Sequence, residues 1–279
     1  MLASAINNTT AFSVYTNYAK SSLSLNRSTT KITEGVNRVW DDGAAVGISE
    51  RFRSQAKSTD MARCNVESSI SMMQTADSWM QQISNMLSRM HELVIEGQDA
   101  SKTTTDLSNV QAEFKELQKQ ITMIGDSNAK FNGMAIFSSN FAGGIDTQMG
   151  ADMGQTITLT TSDLRSNSGV SIGGATWASI NSAQFTVSHS NAIGKLQSAI
   201  DYISKERAGL GGQLSRLRHT RGGLLSYETN IRSAESKYRD VDMAKETSEM
   251  TKFQILSQVG NAMLAQANQL PSSLVDLLK

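Results

Sequence analysis

Apolar residues recur along this chain at alternating steps of three and four. Val66, Ile70, Met73, Ala76, Met80, Ile83, Leu87, Met90 and Val94 form one such series, and Ala62, Thr59, Ala56, Phe52 and Ile48 extend it toward the N-terminus. That spacing places one stripe along a helix and is the seam of a coiled coil. It predicts a helix over 44–97, about 70 Å of it striped at 1.5 Å per residue, with Gly97 as its stop. A polar link with several threonines follows, suited to capping the next helix. The seam resumes at Leu107, Val110, Phe114, Leu117, Ile121 and Ile124 and decays after Gly125, predicting an antiparallel partner over 105–128. A third seam runs through Ile193, Leu196, Ile200, Ile203, Arg207, Leu210, Leu214, Leu217, Arg221, Leu224 and Ile231, predicting a helix over 190–236. Its glycines at 209, 211, 212, 222 and 223 each weaken it by up to ~1 kcal/mol relative to alanine, so it depends on its neighbours. The two arginines on that seam are expected to pair with acids on an adjoining helix.

Between the second and third seams the period changes. FNGMAIF and QTITLTT are short β-branched or aromatic runs bounded by Gly, Asn, Asp and Ser, which predict hairpins and loops. The glycine pairs there lack the strand–turn–helix setting of a phosphate loop and are read as turns. The fold class is therefore mainly α: a long antiparallel helical coiled-coil bundle with a small β-hairpin region, and with N- and C-terminal helices paired.

The two ends share an unusual property. Neither 1–19 nor 253–275 carries a charged side chain. The C-terminal run has a seam at Leu256, Val259, Met263, Ala267, Leu270, Leu274 and Leu277; Leu2, Ala5, Phe12, Ala19 and Leu23 form a thinner one. Burying six large C-terminal side chains yields on the order of 10 kcal/mol, at ~1.5–3 kcal/mol each. Ordering some 25 residues costs roughly 25 kcal/mol of backbone entropy. An isolated helix of this length is marginal in water, so these stripes require partners. They are expected to pack against neighbouring copies of the chain.

Composition narrows the partners. Lys+Arg and Asp+Glu both number 26, so no global field favours nucleic acid or an anionic membrane. No run reaches the ~20 apolar residues of a membrane span, and the first residues lack the basic and apolar regions of a cleavable signal. Aromatics make up 6% of the chain, which argues against a core built on large rings. Cys64, the only cysteine, is read as a free packed thiol, and the 14 methionines as flexible core filling. Catalytic constellations are missing: His91-Glu92 is followed by Ile95 where a zinc-protease motif needs histidine, and Asp41-Asp42 reads as a helix start. No cofactor, metal or enzyme activity is expected.

Several longer motifs carry a resemblance. LAQANQLPSSLVDLLK (264–279), YRDVDMAKETSEMTKFQIL (238–256), DDGAAVGISERF (41–52), FNG (131–133), ISKERAGLG (203–211) and MGADMGQTITL (149–159) resemble the terminal signatures of bacterial flagellins, over roughly 1–160 and 190–279. The chain is shorter than the family's spacing between Gly35 and Asp41, where it carries Trp40. The resemblance implies a subunit that self-assembles into the flagellar filament. It divides the chain into an inner filament-core domain (1–40 and 239–279), a next domain of long helices and a hairpin (41–139 and 190–238), and a short variable β/loop region (140–189). It implies secretion through the flagellar type III export system, an export chaperone on the C-terminal segment, a filament cap, and hook-junction proteins as neighbours. It also implies recognition by a vertebrate Toll-like receptor through an R-x-x-E-L pattern and a Q-A-E glutamate, here Arg89, Leu93 and Glu113. The competing readings are a hook-filament junction protein of the same apparatus and a binding or enzymatic module hidden within 140–189. AMLAQANQLP argues against the first; too little chain and no convergent polar set argue against the second.

Overall fold

The structure is a computed structural model describing residues 9–39, 42–172, 175–182, 184–189 and 191–276, with side chains described through Gln269. Seven α-helices and three two-stranded antiparallel sheets make up the described residues. The chain divides into two compact units, Met1–Gln55 with Asn230–Lys279, and Ala56–Thr229.

The long helices begin where short polar side chains meet free backbone amides. Helix α1 is Thr9–Glu34 and α2 is Gly43–Gly97. Asp42 Oδ1 accepts from the amides of Ala44 (3.1 Å) and Ala45 (2.9 Å), the helix start expected of the acidic pair; Asp41 lies outside the described residues. Helix α3, Thr104–Met123, opens with a reciprocal cap. The Thr103 hydroxyl oxygen accepts from the Asp106 amide, and the Asp106 carboxylate accepts from the Thr103 amide and hydroxyl. Those two donors hold the Asp106 carboxyl below its ordinary range.

In the second unit, seams meet as the spacing predicts. All nine positions from Val66 to Val94 in the first series are buried, as are Ala56, Thr59 and Ala62. Phe114, Ile121 and Ile124 of the second seam are fully buried against them. Helix α3 does not run on to Asn128 in α geometry: Ile124–Asn128 is a π turn, with Gly125 pressed so closely on the Leu164 carbonyl that an added Cβ would sit 2.2 Å from its oxygen.

The connecting region is built from β1 (Lys130–Phe131) and β2 (Met134–Ala135), α4 (Ser139–Ala142), β3 (Ile145–Gln148) and β4 (Thr156–Leu159), β5 (Ser171–Ile172) and β6 (Ala175–Thr176), and α5 (Trp177–Ile180). FNG supplies the first turn, with Asn132 and Gly133 at φ 49° and 79°, the two-residue hairpin geometry that tolerates positive φ. QTITLTT supplies β4, whose Ile157 and Leu159 point into the core. Contrary to the expectation from composition, this region does gather large rings. Trp177, Phe114, Phe137, Phe141 and Phe185 are all essentially buried, concentrated in one unit although sparse in the chain.

Helix α6, Ala192–Arg239, carries the third seam one position off at its start. Ala192, Leu196, Ala199, Ile203, Leu210 and Leu217 are buried, whereas Ile193 is 37% exposed. Arg207 does pair with an acid, donating from Nε to Asp77 at 2.8 Å; Arg221 is exposed instead. Ala208, Gly211, Gly212, Ser215, Gly222 and Gly223 share one exposed face, since an eleven-residue step is close to three helical turns. A Cβ added at any of these four glycines meets nothing within 4 Å. Gly211→Ala and Gly222→Ala are therefore each expected to stabilise the monomer by up to about 1 kcal/mol in urea unfolding; a loss of stability would mean that the face is occupied within the chain.

The first unit pairs α1 with α7, Met243–Asp276. The link after α1 is fixed at Gly35 (φ 71°), whose amide donates to the Lys31 carbonyl at 2.7 Å. Val36 then bridges Asp240, with the Asn37 amide donating to the Arg239 carbonyl (2.8 Å) and the Val241 amide to the Gly35 carbonyl (3.1 Å). Residues 36 and 240 meet at one end and Tyr18 lies against Gly260 further along, so the helices are antiparallel.

Candidate assembly surface

Each terminal helix carries two seams, and only one of them is used within the chain. On α7 the covered positions are Glu246, Met250, Phe253, Ser257, Gly260, Leu264 and Ala267, stepping by four and three. On α1 they are Ala11, Val14, Tyr18, Ser21, Leu25, Ser28 and Ile32, stepping by three and four. Small residues recur on both, which lets the backbones approach closely. At Gly260 a Cβ would lie 3.1 Å from the Tyr18 ring, so any larger residue there would require the ring to give by a few tenths of an ångström.

The stripe picked out by size alone faces elsewhere. Phe12 is 70% exposed, Leu23 54%, Leu256 42%, Val259 51% and Met263 48%; of the described predicted positions only Ala267, at 4%, is buried. Tyr15 and Ile255 extend the same uncovered faces. Leu2, Ala5 and Leu277 lie outside the described residues, and Leu270 and Leu274 fall on the α7 backbone beyond the described side chains.

Large contiguous apolar surfaces are rare on monomers and mark places where another molecule binds. Five side chains about half uncovered represent roughly 5 kcal/mol of burial still available. Bringing two bodies together costs ~4–15 kcal/mol, so one such contact is marginal and several per copy are needed. The surface suits a polymer better than a dimer.

A second set of predicted residues lies on α2 and α3. Arg89 grips Glu113 across the two helices, Nε to Oε1 at 2.8 Å and a second guanidinium nitrogen to Oε2 at 3.2 Å, while a third donates to Glu92 at 3.0 Å. The two carboxylates raise the Arg89 pKa, and Arg89 in turn holds the Glu113 carboxyl below its ordinary range. Both side chains are exposed. Leu93 is not: at 1% exposure it belongs to the packed seam, so no partner reaches it while the core is intact.

Polar ties over long stretches of sequence carry no spacing signal. Gln118 is buried on α3, and its Nε2 donates to the carbonyls of Ile180 (2.8 Å), Phe185 (3.2 Å) and Ser182 (3.3 Å). Gln111 Oε1 accepts from the Val187 amide at 2.9 Å, and Trp177 Nε1 donates to the Leu164 carbonyl at 2.7 Å. Glutamine at a seam-flanking position of α3 was the one available hint. Cys64, expected packed, is exposed. Among the described residues no group of His, Cys, Asp or Glu is arranged to hold a metal, and no helix is long and apolar enough to cross a membrane.

Terminal helices folded on one face and apolar on the other suit a self-associating, helical structural subunit. Comparison with known proteins makes that class specific. Residues 6–142 match the bacterial flagellin N-terminal helical region and 193–278 the bacterial flagellin C-terminal helical region. The chain is similar to Flagellin FlaB2 of Treponema pallidum, 35% identical over 92% of this chain and 93% of that one. It is similar also to the flagellar filament 33 kDa core protein of Treponema phagedenis (34%, 92% and 93%) and to flagellin of Bacillus subtilis (34%, 89% and 91%). The chain belongs to the bacterial flagellin family. It is a structural subunit of the flagellar filament rather than an enzyme, and it forms that filament by self-assembly.

Proposed function

We propose that the uncovered seams of α1 and α7 are the surfaces that one copy buries against others in the filament, so that 1–40 and 239–279 form its core. The observation that carries this is the exposure of Phe12, Leu23, Leu256, Val259 and Met263 on helices whose opposite faces are already packed. On this reading 41–139 and 190–238 form the layer outside the core, and 140–189 its short outer elaboration. Deleting 253–279 is the direct test. The truncated chain should remain a helical monomer through its second unit and fail to add to filament seeds in a sedimentation assay; growth at the normal rate would overturn the reading.

The same seam accounts for the finer partners. Before assembly an apolar C-terminal face requires cover, which is the task of an export chaperone on that segment, and export proceeds through the flagellar type III channel. A cap at the growing tip and hook-junction proteins at the base meet the same helices. For a Toll-like receptor, Arg89 and Glu113 supply the exposed part of the contact and Leu93 acts only by fixing the helix beneath them.

A further inference from the structure

Positive charge gathers in the middle of α6 without compensation. From Arg207 to Tyr227 there is no acidic residue, yet the segment holds four arginines and His219, in a chain of zero net charge. Arg207 is engaged by Asp77 at 2.8 Å. Arg216, Arg218 and Arg221 are all exposed, and none has an acidic partner among the described residues. Residues three apart on a helix are neighbours, so Arg218 and Arg221 repel each other, and no carboxylate of the described residues offsets that repulsion.

The arginines frame a bare stretch of backbone. At ~100° per residue Arg218 and Arg221 stand on one flank of the exposed face of α6 and Arg216 on the other, about 160° from Arg218. His219 lies between the flanks, together with Gly211, Gly212, Gly222 and Gly223. A Cβ added at any of these glycines meets nothing within 4 Å, so the backbone there is open to an approaching molecule. A helical carbonyl has a second lone pair beyond the one its helical hydrogen bond uses, and without a side chain over it that lone pair can accept from a hydroxyl. Leu225, a turn beyond Arg221 and 56% exposed, adds an apolar contact on the same flank.

We propose that this face of α6 binds an acidic polysaccharide, a linear glycan carrying uronate carboxylates. Arginine at all three charged positions suits bidentate pairing with planar carboxylates, which lysine cannot make. Sugar hydroxyls supply the donors that the open carbonyls accept, and the C–H face of a sugar ring rests on Leu225. Neither rival polyanion matches both halves of the face. An acidic helix brings carboxylates but few hydroxyls, and a single-stranded nucleic acid calls for stacking side chains, of which 208–226 has no Phe, Tyr or Trp. Residues 216–221 lie outside both terminal helices, so this binding does not depend on which seam assembles the filament.

The test uses the full-length monomer and a fluorescein-labelled oligogalacturonate, read by anisotropy at low salt. Saturable binding with a Kd on the order of 100 μM is expected, weakening as salt screens the ion pairs. An oligoglutamate of equal charge and a single-stranded DNA oligonucleotide should each bind at least about tenfold more weakly, since each satisfies only part of the face. Arg218→Gln with Arg221→Gln should cost about tenfold in affinity at unchanged helicity, because both side chains stand in water. Gly211→Ala with Gly222→Ala keeps every charge; it should weaken oligogalacturonate about threefold by covering the carbonyls and leave oligoglutamate unchanged. No saturable binding, full affinity in either pair of variants, or equal binding of oligoglutamate or DNA would overturn the proposal. No filament forms in this assay, so the assembly reading is judged separately, by seeded growth.

Discussion

A chain carrying Leu256→Asp and Met263→Asp is expected to keep the helical content and unfolding midpoint of the parent monomer and to lose seeded filament growth by at least about a hundredfold. Both side chains are roughly half exposed in the single chain, so each charge remains in water and costs the monomer little. In a packed interface the same carboxylates would be stripped of water, with Lys252 one turn before position 256 and no charged residue within a turn of position 263, a penalty of several kcal/mol for the second charge. Phe253→Asp separates the two seams. Phe253 lies on the covered face of α7, so that substitution should destabilise the α1–α7 pair itself and lower monomer helicity. If Leu256→Asp with Met263→Asp unfolds the monomer as Phe253→Asp does, the outward seam is an intrachain seam and the assembly surface lies elsewhere. Circular dichroism beside seeded elongation reads both outcomes in one preparation.

The contrast shows where sequence was informative. For α2, one stripe of large residues meets one partner face, and three–four spacing identified nine of its buried positions from Val66 to Val94. On α7 the spacing was equally clear, yet Leu256, Val259 and Met263 are uncovered, while Met250, Phe253 and Leu264 are the large residues turned toward α1. The face toward α1 carries Ser257, Gly260 and Ala267, small enough for close approach and therefore inconspicuous in a hydrophobicity pattern. The predicted stripe is the one with more burial still to gain, which is why it is proposed as the intermolecular one. The start of the α6 seam was read one residue late because Ala192 and Ala199 hold the buried positions that Ile193 and Ile200 suggested for themselves. In the hairpin region the FNG turn was legible from local backbone chemistry. The ties from Gln118 to Ile180 and from Trp177 to Leu164 were not, since pairing a side chain with a distant carbonyl leaves no periodicity.

Those ties matter most for the second unit, and Trp177→Ala should show it. The indole is fully buried at the start of α5, just past β6, and its Nε1 donates to the Leu164 carbonyl at 2.7 Å. Leu164 is itself buried, and its carbonyl also receives the close approach of Gly125 at the π turn. The substitution removes the largest fully buried ring of the unit, at about 3–5 kcal/mol for an aromatic-to-alanine change in a core. It also leaves a buried carbonyl without its donor, at about 1–3 kcal/mol more. A loss of about 4 kcal/mol or more in urea unfolding is therefore expected for the monomer. Trp177→Phe should recover most of the packing but not the hydrogen bond, and so fall between the two. The seams of α2 and α6 contain none of these contacts, so far-ultraviolet helicity before the transition should change little while the midpoint shifts. A midpoint within about 1 kcal/mol of the parent would mean that residues 164–185 dock on the helices without stabilising them, and that the long seams hold the second unit by themselves.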